Sequence, residues 1–343
     1  MGERDTVALD TLSAMHMAKE SRRARSELAP SGRTYWDEIF MVAFRKDTAA
    51  MEQIIAGMQE PFVNTPLQVT LVLDDFSFAE RLARAAVESR GSTATRAARY
   101  ITLARLFVAQ GRWSEAAIEL RNARQLDPHQ EVLVQALLAS LPWLAVPREE
   151  VLVSRDALLG WTPTPADSGA PLRRAYLPHQ RLYVLGLLAC KLGEFEKALS
   201  YADSIVILPD AAGTAVPIEY AATVRANVAR DRGRPAADVL TLLEPVRGRV
   251  PAAVYSRPMF SQERARFLRA EALHSVGRDD EALRWLNDSF TVVRAGVYYK
   301  APVLHLTARI HDANSRPDEA RDAREAFERV WSRADAAIAF PSN

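Results

Sequence analysis

The six histidines and the single cysteine are the residues best suited to chemistry, and their spacing does not favour a reactive site. No histidine pair forms His-Glu-x-x-His or lies at the four-residue step that binds zinc on one helix face. Cys190 has no histidine beside it in sequence, so we interpret it as a small apolar residue on a helix face. The sequence therefore predicts no catalytic residue and no metal site.

Acidic pairs are the next candidates for acid–base chemistry, and Asp279-Asp280 is an example. Adjacent residues on a helix point in different directions, so such a pair does not converge on a substrate by itself. This pair stands at a predicted helix start, where carboxylates complement the helix dipole. The glycine motifs that cradle nucleotides are absent, which predicts no cofactor. We expect a non-enzymatic protein, with an enzyme whose site is assembled from distant residues as the alternative.

The composition limits the classes of partner that the protein is expected to bind. A net charge of +1 is unlike the strong basic excess of most nucleic-acid binders. No stretch approaches the length of a membrane-spanning helix, and residues 1–6 contain no apolar signal segment. One cysteine excludes an intramolecular disulfide, which is compatible with a reducing compartment. We therefore expect a cytoplasmic protein that binds neither nucleic acid nor membrane.

A phrase that recurs along the chain indicates how such a protein is built. It reads Gly-Arg-Trp-Ser-Glu-Ala from Gly111, Gly-Glu-Phe-Glu-Lys-Ala from Gly193 and Gly-Arg-Asp-Asp-Glu-Ala from Gly277. A decayed copy begins at Ser315 and a looser one at Gly233. Each copy separates two segments with helical periodicity, and glycine is the usual residue just after a helix end. The pattern predicts helix–turn–helix units in tandem.

The clearest unit, 97–130, resembles a tetratricopeptide repeat. Its first helix places large, small and aromatic residues in the slots that the family uses, and its second helix does the same before a closing proline: Tyr100, Leu103, Ala104 and Phe107, then Ala116, Leu120, Ala123 and Pro128. The small residues suit close helix crossings. The resemblance implies an all-α, right-handed superhelical α-solenoid of tandem helix–turn–helix repeats. Its concave groove would be lined by the first helix of every repeat.

Three regions follow from this reading. Residues 1–30 are predicted to form one N-terminal helix and residues 31–96 degenerate helical hairpins. Residues 97–343 form the repeat array, with a loop rich in proline and threonine near 161–171. The closing helix, 326–336, is similar to that of repeat regions attached to bacterial serine/threonine kinases and signalling regulators.

The resemblance implies a scaffold or regulatory sensor that binds a protein or peptide in the groove. The effector arm of a bacterial signalling or transcription regulator is an alternative. Residue types that anchor peptides occupy the predicted groove-facing slots. These candidate binding residues are Arg105, Tyr183, Lys191, Asn227, Arg230, Phe267, Glu271, His274 and Arg309.

Overall fold

A computed structural model describes residues 47, 49–50, 53, 67, 76–162, 171–210, 213, 215–247, 263–288 and 296–336. The chain divides into two compact units, Met1–Met58 and Gln59–Asn343. The predicted helix at 1–30 and most of the predicted hairpins upstream of residue 76 lie outside the described residues. All helices discussed below belong to the second unit.

All the regular secondary structure in the described part of the chain is helical, without a strand, which confirms the all-α prediction for these residues. In chain order the helices are α1 Phe76–Glu88, α2 Thr93–Ala109, α3 Trp113–Leu126, α4 Val132–Ala139, α5 Arg148–Gly160, α6 Pro171–Leu192, α7 Phe195–Ile207, α8 Val216–Asp231, α9 Ala236–Leu243, α10 Glu263–Ser275, α11 Asp279–Asp288, α12 Gly296–Ala313 and α13 Pro317–Trp331.

Five helix pairs are joined by turns of one geometry. The turn residue has a positive φ in every case: 72° at Gly111, 76° at Gly193, 67° at Gly233, 75° at Gly277 and 55° at Ser315. Its N–H donates to the carbonyl three residues earlier, and the next N–H donates to the carbonyl five residues earlier. These two bonds define the Schellman ending of a helix. The helical-hairpin prediction is therefore confirmed at all five recurrences of the phrase, including the copy that has serine.

Helix α2 begins earlier than its sequence pattern predicts. It starts at Thr93 rather than Ala97, because the Ser92 hydroxyl accepts a hydrogen bond from the Thr95 N–H at 3.2 Å and caps the helix. Helix α6 starts at Pro171 and contains Pro178, although proline lacks an N–H and normally ends or bends a helix.

The helices pack mainly on their neighbours in sequence, as expected for repeats. Helix α12 also packs against α2, which is far from it in the chain. The carbonyl of Gly111 accepts a hydrogen bond from the Asp335 N–H at 3.1 Å, and the Asp335 carboxylate accepts one from the Ser114 N–H at 2.6 Å. The hairpin α2–α3 therefore touches the hairpin α12–α13 and the segment that follows it. An open array with contacts only between adjacent repeats does not have this arrangement.

Candidate functional site

Helices α10 and α12 meet at Trp143, which lies in the loop between α4 and α5 and is 2% exposed. Its ring packs edge-on against Tyr299 of α12, with centroids 4.7 Å apart, and against Phe267 of α10 at 5.7 Å. The guanidinium carbon of Arg264 lies 5.9 Å from the centroid of the Trp143 ring. With Asn227 of α8, which binds Arg264, these residues form what we call the Arg264 cluster. It joins three helices and one loop.

Arg264 has a positive charge inside the protein. Its Nε donates to the side-chain oxygen of Asn227 at 2.8 Å, and its Nη2 donates to the same oxygen. Nη1 is buried without a hydrogen-bond partner among the described residues. Burial lowers the pKa of Arg264, and the positive charge of Arg230 lowers it further. The partner of this guanidinium is thus a neutral amide rather than a carboxylate.

Lys191 fastens the loop that carries Trp143. Its Nζ donates to three backbone carbonyls of that loop, those of Leu141 at 3.0 Å, Pro142 at 3.3 Å and Leu144 at 2.7 Å. Burial lowers the pKa of Lys191 to about 8, and the charge of Arg264 acts in the same direction. We expected this amine to meet acidic groups of a partner, but here it holds the chain's own backbone.

A second pair of predicted groove residues is used within the chain. Tyr183 of α6 is 3% exposed and stacks on Tyr220 of α8, with ring centroids 4.5 Å apart. Burial raises the pKa of the Tyr183 hydroxyl well above its usual value. Burial also raises the pKa of the nearby Cys190 thiol to about 12, so the thiol stays protonated near neutral pH. Cys190 therefore behaves as the small apolar residue that the sequence predicts.

Arg230 and Glu271 are brought together across α8 and α10. Arg230 Nη1 donates to the Glu271 carboxylate at 3.4 Å, while its Nε and Nη2 donate to Asp231 at 2.8 Å and 2.6 Å. Burial lowers the pKa of Arg230, but the two carboxylates outweigh that effect and raise it. The sequence analysis placed both residues in the predicted groove without predicting that they would pair.

His274 and Asp279 form a close acid–base pair. The His274 Nδ1 and an Asp279 carboxylate oxygen are 2.7 Å apart, and the other oxygen accepts a hydrogen bond from the Asn314 amide at 2.6 Å. Burial raises the pKa of Asp279, but the bonds from His274 and Asn314 outweigh it and lower the pKa. The pair ties the turn between α10 and α11 to the end of α12. Asp279 thus joins neighbouring helices, a role beyond the helix-start interpretation.

The nine predicted binding residues fall into two groups. Arg105, Tyr183, Asn227 and Phe267 are at most 3% exposed, and Arg105 Nε donates to the hydroxyl of Tyr298. Their side chains contact other parts of the chain, so they offer little surface to a partner in this conformation. Lys191, Arg230, Glu271 and His274 are partly exposed, and Arg309 is exposed. The binding role of all nine stays a prediction.

Arg309 lies near the His305 ring on the last hairpin. His305 stands one helical turn before it on α12, and the His305 ring packs edge-on against Phe327 of α13 at a centroid distance of 5.1 Å. Burial lowers the pKa of His305, and the charge of Arg309 lowers it further. We call His305, Arg309 and Phe327 the C-terminal patch. All three side chains keep exposed surface.

A buried ion pair near the closing contact was missed by the sequence reasoning. The Arg112 side chain is fully buried, and its Nη1 donates to the Glu80 carboxylate at 2.6 Å. Arg112 also donates to Glu115 at 2.5 Å and lies 4.3 Å from the centroid of the Phe107 ring. Burial raises the pKa of Glu80, but hydrogen bonds from Arg112 and Arg84 outweigh it and lower the pKa. Arg112 follows a turn glycine, where a sequence pattern suggests an exposed residue.

Within the described ranges, no three or more His, Cys, Asp or Glu side chains are grouped so that they could hold a metal ion. Among the same residues, no helix is both long enough and apolar enough to cross a membrane. No protein-family model matches the chain, and no curated protein matches it either.

Proposed function

We propose that this chain is a non-enzymatic protein-interaction module of the tetratricopeptide-repeat type, a scaffold or regulatory sensor. The observation that carries the proposal is the repeated unit itself, five helix-ending turns with the same φ sign and the same two hydrogen bonds. Stacked helical hairpins present extended surfaces built from many equivalent positions, and proteins with such arrays use those surfaces to bind other proteins.

The C-terminal patch is the best docking surface for the partner. Arginine and aromatic side chains are the residue types that contribute most to binding energy at interfaces. Arg309 is exposed, and the neighbouring rings of His305 and Phe327 are only partly buried. Phe327 also belongs to the closing helix that is similar to those of kinase-attached repeat regions. The inner anchors proposed from the sequence alone, such as Phe267 at 1% exposure, have far less surface to offer.

A partner for this patch would present a carboxylate next to an apolar group. The Arg309 guanidinium can donate two parallel hydrogen bonds to one carboxylate. The edge of Phe327 would contact the apolar group, since aromatic rings add contact area at low entropy cost. An acidic peptide segment with a flanking large apolar residue has this chemistry.

The test is capture of partners from the native host with the wild-type chain and with an Arg309→Glu variant as baits, followed by titration of each captured protein. Reversing the charge at an anchoring arginine should weaken the Kd of a genuine partner about 30-fold or more, equivalent to about 2 kcal/mol. The matched control is Arg321→Glu, on the exposed part of α13, where Arg321 pairs with Asp318 at 2.9 Å. This variant should retain the partner.

Two results would contradict the proposal. In the first, no protein binds the wild-type chain with a measurable Kd. In the second, partners bind wild type, Arg309→Glu and Arg321→Glu equally well, which would move the interface away from the patch.

A further inference from the structure

The connection between α4 and α5 is longer than the turns inside the other helical hairpins. Helix α4 ends at Ala139 and α5 begins at Arg148, so residues 140–147 join them. The equivalent connection between α2 and α3 consists only of residues 110–112. In repeat proteins an insertion into one repeat forms a loop on one face of the array, often the binding face. We call residues 140–147 the inserted loop.

The inserted loop reaches helices that are far from it in the chain. Its Trp143 ring packs against Phe267 of α10 and Tyr299 of α12, at centroid distances of 5.7 Å and 4.7 Å. Its backbone carbonyls accept hydrogen bonds from the side chain of Lys191 at the end of α6. The loop therefore lies across α6, α10 and α12. Two of the side chains that it contacts, Lys191 and Phe267, are among the predicted groove residues.

The loop is held in place in the way that an extended peptide is held on a protein surface. Its own backbone hydrogen bonds are short-range: the Leu144 N–H donates to the Leu141 carbonyl at 3.4 Å, and the Val146 N–H donates to the Leu144 carbonyl at 2.9 Å. Contacts with the distant helices come from one lysine that binds three loop carbonyls and from one aromatic ring. A few such anchors can supply most of the binding energy of an interface.

From these contacts we propose that the inserted loop is an autoinhibitory segment, which occupies a peptide-binding site on α6, α10 and α12. The partner that fits this site is an extended segment with a tryptophan flanked by proline and leucine, the chemistry of Leu141-Pro142-Trp143-Leu144. The tethered loop has an effective concentration of about millimolar, so a partner segment must displace it. The site uses none of the side chains of the C-terminal patch, and it adds regulation to the proposed function.

The probe is a capped synthetic peptide with the sequence of residues 140–149, Ser-Leu-Pro-Trp-Leu-Ala-Val-Pro-Arg-Glu. Its Kd is measured by calorimetry with the full chain, as wild type and as Trp143→Leu. The substitution removes the aromatic anchor from the loop and leaves Lys191 and Phe267 in place. Trp143→Leu should bind the peptide about 100-fold more tightly than wild type, since a loop that is bound about 99% of the time raises the apparent Kd by that factor.

Two controls accompany this measurement. A peptide in which alanine replaces the tryptophan should bind neither protein, because it lacks the anchor. If Trp143→Leu does not fold, Trp143→Phe takes its place. The smaller ring is a weaker anchor for the loop, so this variant should bind the tryptophan peptide about 10-fold more tightly than wild type.

A further substitution shows whether the peptide takes the place of the loop. Lys191→Met, added to Trp143→Leu, removes the amine that binds the loop carbonyls and should weaken the Kd of the peptide about 10-fold or more. Lys197→Met in the same background is the matched control. Lys197 lies on α7 with a side chain that is 47% exposed and pairs with Glu194 at 3.4 Å, so its loss should leave the Kd unchanged.

Three results would overturn the proposal. In the first, the peptide binds wild type as tightly as the variant with the weakened loop. In the second, it binds neither protein. In the third, Lys191→Met weakens binding no more than Lys197→Met does. None of these outcomes involves Arg309 or a partner captured from the host, so this proposal and the proposed docking patch can fail separately.

Discussion

Replacing Gly111 by alanine should destabilise the protein more than the same change at three equivalent turns. Gly111, Gly193, Gly233 and Gly277 have φ values between 67° and 76°. Alanine in this left-handed conformation costs about 1–2 kcal/mol, and that cost is shared by all four positions. At Gly193, Gly233 and Gly277 an added Cβ meets no other atom within 4 Å, so the conformational cost is the whole effect.

Gly111 differs because the C-terminal segment lies against it. An added Cβ there would be 2.5 Å from Cζ2 of Trp331 and 2.7 Å from the Cβ of Ala334, both closer than real contacts allow. Overpacking of this kind typically adds about 1–3 kcal/mol. The expected total for Gly111→Ala is therefore about 2–5 kcal/mol, against about 1–2 kcal/mol at each of the other three turns.

The assay is chemical unfolding of the four alanine variants, followed by circular dichroism and by tryptophan fluorescence. A double-mutant cycle with Trp331→Ala isolates the contact with the ring, since the extra cost of Gly111→Ala should fall when the ring is absent and only the contact with Ala334 remains. If Gly111→Ala costs no more than Gly193→Ala in the wild-type background, the contact between the first and last hairpins does not stabilise the protein in solution.

Two further outcomes follow from local geometry and from burial of charge. Ser315→Gly should stabilise the protein by about 0.5–1 kcal/mol in thermal unfolding, because serine at a φ of 55° is strained whereas glycine is not. The control Ser332→Gly, at a φ of −58°, should not stabilise it. A loss of stability in Ser315→Gly would contradict this reasoning. The pKa of Lys191 is about 8 in the folded protein against 10.5 ordinarily, so between these values the unfolded chain binds more protons and stability rises with pH. From pH 7 to pH 9 wild type should gain about 1 kcal/mol relative to Lys191→Met, measured by denaturant unfolding, and parallel pH profiles would refute the assignment. Higher pH is avoided because the raised pKa of Cys190 makes stability fall there.

The hairpins could be predicted because the features that end a helix are local. Each turn closes through hydrogen bonds that span only three and five residues, so Gly193 or Gly277 and the periodic residues around it are enough to indicate the structure. The same reasoning found the copy at Ser315, where a serine stands in the left-handed conformation. At Ser315 the helical periodicity of the flanking segments was sufficient to predict the hairpin without a glycine.

The environment of the predicted groove residues could be predicted only in part. Helical periodicity predicted that Arg105, Tyr183, Asn227 and Phe267 face the concave groove, whereas in the structure all four side chains are buried. Sequence alone cannot distinguish a residue that lines an open groove from one that packs between helices, since both faces carry large side chains at the same spacing.

Tertiary structure decided what those side chains contact. Arg105 meets Tyr298 and Ser114 meets Asp335 across long separations in sequence, and no local pattern encodes such pairs. Trp143 is buried in a loop whose backbone carbonyls accept hydrogen bonds from Lys191, about fifty residues later in the chain. The sequence by itself determined the repeated helical hairpins, because their hydrogen bonds are local. Two non-local features depend on the tertiary structure. The first hairpin, α2–α3, contacts the last hairpin, α12–α13, and the loop that carries Trp143 packs against α10 and α12. These contacts bury the predicted groove residues Asn227 and Phe267 near Arg264.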